Sequence, residues 1–162
     1  MSTGSSISAV ASGSANAFQA IFWGGLACGT FDILQAFIGY GLVNGVKPVR
    51  ILHHIASGVL GPQAHQGGAA TAALGLLLHF VVAFGAATVY YVASRWIGFM
   101  TTHAVISGLL FGEAVFWFMR LVVVPLSRAP VGGFGVATVI TGPIGHMFLV
   151  GLPIALSVRR FS

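Results

Sequence analysis

Four stretches of the chain, at about 18–43, 69–93, 101–125 and 135–158, are each long and apolar enough to cross a bilayer as a helix. A hydrocarbon core of about 30 Å calls for roughly 20 such residues at about 1.5 Å of rise each. Inside lipid every backbone N–H and C=O must find its partner within the protein, and a helix meets that demand by itself. Each stretch is apolar around its whole circumference, so no side is reserved for water. The sequence therefore predicts an all-α membrane protein, a four-transmembrane-helix bundle with a short interfacial helix between the first two spans.

Charge closes off the soluble alternative. The 162 residues include seven Lys or Arg and two Asp or Glu, and charged residues make up 6% of the chain. A soluble domain carries about 25%, because water must wet its surface. The sequence pI near 10.4 reflects the scarcity of acids. The bases stand singly or in pairs, which suits anionic lipid at a membrane boundary and gives no nucleic-acid patch. The bilayer is thus the expected partner, and nucleic acid is not. A lone cysteine, Cys28, permits no internal disulfide and no cysteine-based zinc site within the chain.

Residues 1–17, rich in Ser, Gly and Ala and without charge, read as a disordered tail, and 18–162 as one membrane domain. Between the first two spans, Ile51, Ile55 and Val59 recur at helical spacing, so 48–60 is expected to lie as a helix in the interface. Gly61-Pro62 ends it, Gln63 to Gly68 reads as a polar loop, and Ser127 to Gly133 as an irregular one. A tight turn at Ser94–Arg95 makes the second and third spans antiparallel neighbours. Trp23, Tyr40, Tyr90, Tyr91, Trp96 and Phe99 sit where an interfacial aromatic belt belongs. Positive charge does not settle orientation: Arg95, Arg159 and Arg160 on one side balance Lys47, Arg50 and Arg128 on the other.

The residues that ask for a function lie at mid-span. Both acids, Asp32 and Glu113, fall there, as do His79 and His146, one ionisable residue from each span. Their expected depths agree to roughly 3 Å. A charged carboxylate at that depth costs about 3 kcal/mol, so it needs a partner or a proton. Three readings follow. The cluster of Asp32, His79, Glu113 and His146 hydrogen-bonds helices together; it carries protons or ions, as in a small oligomeric proton-coupled transporter; or it holds a transition metal or a haem. For haem, His79 and His146 each follow a glycine by one turn, Gly75 and Gly142, which would leave room for a flat macrocycle. Pro143 is expected to kink the fourth span or free a carbonyl just before His146. Helix packing is expected at Gly25-x-x-x-Gly29 and Gly108-x-x-x-Gly112. Gly25, Cys28, Gly29, Asp32, Gln35, Ala36 and Gly39 share one small, polar face of the first span. No Walker loop, GxSxG or HExxH is present, and the Gly-rich run Val131-Gly-Gly-Phe-Gly lacks the strand and helix that would make it a phosphate loop. The chain therefore reads as non-enzymatic.

The run Gly-Leu-Leu-Leu-His-Phe from Gly75, the segment from Met119 to Ser127, Gly145-His-Met and the closing Arg159-Arg160 resemble small four-span bacterial inner-membrane proteins of the YagU-like family, which is associated with acid tolerance. That resemblance covers roughly 69–160. It implies residence in the bacterial inner membrane with cytoplasmic termini, and it brings no catalytic residue. The mid-span acids and histidines, without a reaction motif, point to an accessory subunit acting through partner subunits or to a role in stress or proton tolerance, as a homo-oligomer or part of a larger membrane complex.

Overall fold

The computed structural model describes the backbone over residues 3–130 and 136–162, and the side chains over 16–42, 45–130 and 141–162. Helix α1 (Thr3–Asn44) is followed by α2 (Pro48–Leu60), a single 3-10 turn at Pro62–Gln66, and α3 (Gly68–Trp96). Helix α4 (Ala104–Leu126) and helix α5 complete the chain. Helix α5 comprises Val136–His146, Met147–Gly151 and Leu152–Arg160. No strand occurs among the described residues. Four segments are long and apolar enough to cross a bilayer: Asn16–Leu42, Gly68–Trp96, Ala104–Leu126 and Thr141–Arg160. The protein is thus an all-α, multi-pass membrane bundle. The backbone is already helical from Thr3, through the segment expected to be a disordered tail. The run Val131-Gly-Gly-Phe-Gly lies outside the described residues.

Helix α1 packs on α3 along one side and on α5 along another, while α4 packs on α5. Missing side chains set those distances. A Cβ at Gly25 would run into the Phe84 ring, and one at Gly29 would lie 2.7 Å from the Phe80 ring. On the α4–α5 side, a Cβ at Gly108 would lie 2.7 Å from that of Ala155, and one at Gly112 would meet the His146 carbonyl. Small residues let membrane helices approach closely enough for dispersion to act between backbones.

Helices α3 and α4 meet only near their connection. The chain does not turn at Ser94–Arg95: α3 continues to Trp96, and reversal takes place across the short helical turn Phe99–Thr102. Tyr90, expected in the interfacial belt, is instead fully buried here. Its hydroxyl donates to the Met100 carbonyl at 2.9 Å and lies 2.6 Å from Ser107 Oγ. In lipid a phenol of this kind cannot turn to water, so it finds protein partners.

Two interruptions in the helices have one cause. The helix widens into a π turn at Met119–Val123 and again at Met147–Gly151. Pro125 and Pro153 follow, and a proline both lacks an N–H and crowds the carbonyl four residues before it. Those carbonyls belong to Leu121 and Leu149, the central residues of the two turns. Widening relieves the clash and re-pairs the freed groups. Pro143, where a kink was expected, lies within the unbroken helical stretch Val136–His146.

Helix α2 is bounded by Gly45 (φ +66°) and Gly61 (φ +77°), positions that L side chains rarely adopt. It packs on the first turns of α3, where Gly75 admits the Leu52 backbone. The Arg128 N–H donates to the Gly58 carbonyl at 2.9 Å, tying the end of α4 to it. Its rotation differs from that expected for an apolar stripe against lipid. His53, Ala56 and Ser57 are the buried residues, Val59 is exposed, and Ile51 and Ile55 face an internal cavity.

Candidate functional site: a cavity beneath α2

Beyond the Tyr90–Phe111 contact, a cavity of about 970 Å³ lies between the helices. Helix α2 and the linker before it stand at its other end. Its size is at the upper end of the range for small-molecule sites.

The floor lies at mid-span. Asp32 of α1, His79 of α3 and His146 of α5 all border the cavity, together with Cys28. His146 Nε2 lies 3.8 Å from Asp32 Oδ1, and both side chains are about three-quarters buried, at 22% and 26% exposed. The other ring nitrogen, Nδ1, is 3.0 Å from the Gly142 carbonyl and can only donate there. A neutral His146 therefore presents a bare Nε2 lone pair to the Asp32 oxygen. The contact is attractive only when the pair carries one further proton, on the carboxyl or on Nε2. The Phe116 ring stands edge-on against His146 at 5.2 Å and screens it on the α4 side. His79 sits apart from this pair, its Nε2 donating to the Gly29 carbonyl at 2.8 Å.

Glu113 does not join them. Val115, Met119 and Val124 are the α4 residues turned to the cavity, and Glu113 lies on another side of that helix, half-buried. Equal depth gave no information about azimuth, and the four-residue cluster is in the structure a three-residue floor. Among the described residues no group of three or more His, Cys, Asp or Glu is placed to hold a metal ion. The room anticipated for a macrocycle beside the histidines is also filled. A Cβ at Gly75 would meet the Leu52 carbonyl, and one at Gly142 would meet the Phe116 ring. Both glycines serve close packing. Gln35, on the polar face of α1, leaves the cavity set altogether and fits against Gly145 of α5.

The mouth is basic. Lys47, Arg50, His54 and His65 line it, and Lys47 and Arg50 are exposed. The rings of His53 and His54 lie 6.4 and 6.3 Å from that of His65. His53 Nε2 is 2.8 Å from the Gly68 carbonyl, while Nδ1 of His53 and of His65 are buried without a partner among the described residues. Burial holds the His54 imidazole below its ordinary value, with His65 and the Arg120 guanidinium adding to the effect. Sequence reasoning used Lys47 and Arg50 only to orient the chain. The signal that would have found the mouth is the set of bases around α2, in a chain whose only acids stand at mid-span.

The cavity thus offers a carboxyl–imidazole pair at its floor, apolar walls, and cationic groups at its entrance. No protein-family model matches the chain, and no curated protein and no solved structure is significantly similar to it.

Proposed function

We propose that this membrane protein is non-enzymatic and acts through the cavity, with Asp32 and His146 taking up and releasing a proton at mid-membrane. The observation that carries the reading is the Asp32–His146 contact at 3.8 Å, with Nδ1 already committed to Gly142. A carboxyl and an imidazole facing one another at mid-membrane are the elements from which intramembrane proton relays are made. The reading fits a proton-tolerance role in a bacterial inner membrane, as the resemblance to YagU-like proteins implies, or a small proton-coupled transporter. A homo-oligomer or larger complex belongs to it as well. Glu113 stands on α4 away from the cavity, and an intramembrane carboxylate calls for a partner helix or a proton.

Proteoliposomes loaded with a pH-sensitive dye test it. After an acid jump, vesicles containing the protein should acidify faster than protein-free vesicles, and Asp32→Asn should remove most of the difference. Equal rates for wild type and empty vesicles, or an unchanged rate in folded Asp32→Asn, would end this reading.

The cofactor alternative has one observation in its favour. His146 donates Nδ1–H to a carbonyl and points Nε2 away, as helical metal-ligating histidines do. A second nitrogen would require His79 Nε2 to leave Gly29. A Soret band or stoichiometric metal in purified protein supports that alternative; colourless, metal-free folded protein rejects it.

A further inference from the structure

The mouth of the cavity has a property that the floor does not explain. Lys47 and Arg50 line it, and among the described residues neither side chain forms a hydrogen bond or ion pair. The chain can offer them no carboxylate at that level, because its two acids are Asp32 and Glu113. Two cations at the entrance of a largely apolar cavity, with no counter-charge from their own protein, select for an anion supplied from outside.

The walls say what should follow the anionic group. Between the mouth and the floor the cavity is bordered by Ile33 and Ala36 of α1, Ile51 and Ile55 of α2, and Met119 and Val124 of α4. None of these side chains can hydrogen-bond, apart from the weakly accepting sulfur of Met119, so the middle of the cavity favours hydrocarbon. Its length can be read along α1. From Tyr40, which borders the upper part, to Asp32 at the floor is eight residues, or about 12 Å of helix. One bilayer leaflet is about 15 Å of hydrocarbon, half of a core of about 30 Å. A full-length phospholipid chain would therefore press against the Asp32–His146 pair, whereas a shorter chain ends above it.

We infer that this cavity binds a medium-chain carboxylate, with the head group on Lys47 and Arg50 and the alkyl chain between α1, α2 and α4. The inference goes beyond the proton reading and is carried by the opposite end of the cavity. A ligand there would supply the missing counter-charge and bury its chain against the six apolar residues, so charge and chain contribute separately.

The test uses the full chain in nanodiscs of zwitterionic phospholipid, titrated with decanoate by isothermal calorimetry against empty discs. Saturable one-to-one uptake is expected, and 1-decanol, of equal length without the charge, should bind at least tenfold more weakly. The double variant Lys47→Gln/Arg50→Gln should also lose at least tenfold; both positions are exposed, so the fold is kept. Ala36→Phe, which fills the apolar section and leaves the charges in place, should weaken decanoate to a similar degree. Should it not fold, the double variant decides alone. Asp32→Asn should bind decanoate as wild type does, so that failure of the proton reading and failure of this one are told apart. Uptake no greater than that of empty discs, equal affinity for decanol, or full affinity in the double variant overturns the proposal. So does loss of decanoate binding when the discs contain phosphatidylglycerol, since bilayer lipid would then be the occupant.

Discussion

Adding one methyl group at two glycines should have opposite effects. At Gly112 on α4, a new Cβ would meet the His146 carbonyl and lie 2.8 Å from the Met147 Cα. Ordinary carbon contacts are about 3.5–4.0 Å, so α4 and α5 must part by roughly 1 Å. Forcing atoms into a packed interface costs about 1–3 kcal/mol. At Gly85 on α3, a Cβ meets nothing within 4 Å. There the methyl group only restricts the unfolded chain, which stabilises by about 0.4–1 kcal/mol. Gly112→Ala and Gly85→Ala therefore share their chemistry and should differ by about 1.4–4 kcal/mol in total. Unfolding in mixed micelles with rising denaturing detergent, followed by tryptophan fluorescence, resolves a gap of that size. If Gly112→Ala unfolds together with or after Gly85→Ala, α4 and α5 do not approach as described. Because His146 is the residue first displaced, Gly112→Ala should also slow proton entry into vesicles.

Tyr90→Phe removes the hydroxyl that bridges Met100 and Ser107. It should lower stability by about 0.5–1.5 kcal/mol in the same unfolding assay, with Ser107 keeping its own bond to the Met100 carbonyl. His54 gives a pH dependence whose sign is fixed by its depressed value. The unfolded chain takes up a proton near the ordinary 6.5 while the folded one resists it, so His54 contributes stability above that pH and loses it as the pH falls. His54→Gln should flatten the acid limb of stability plotted against pH, and an unchanged limb would exclude His54 as its source.

The four spans were legible because lipid imposes a length and an apolarity that few other structures require. The third nonetheless begins later than read, at Ala104. The glycine pairs were legible for a related reason, since a missing side chain signals close approach whatever lies opposite. Direction around the helix was not. Glu113 and Asp32 look alike in a chain that is apolar on every side, and only packing turns one into the cavity and the other away from it. The mouth was hidden for a different reason. Lys47 and Arg50 become parts of a site only because Gly75 lets α2 settle on α3, a tertiary event with no local signature.

The two π turns have a consequence for how the helices keep step. On α5 the residues that meet α4 are Gly142, His146, Gly151 and Ala155, against Phe116, Gly112, Gly108 and Gly108 again. Their spacings are four, five and four. The odd step spans Met147–Gly151, where the π turn takes up one extra residue. Along α4 the cavity-facing residues Val115, Met119 and Val124 advance by four and then five, and the five again spans a π turn. A regular helix would rotate each later residue by about 100° off its line. Each proline therefore acts as a phase corrector, returning the helix to a contact line from which it would otherwise drift. The same device conceals the α5 packing motif from any search for small residues at a fixed interval of four.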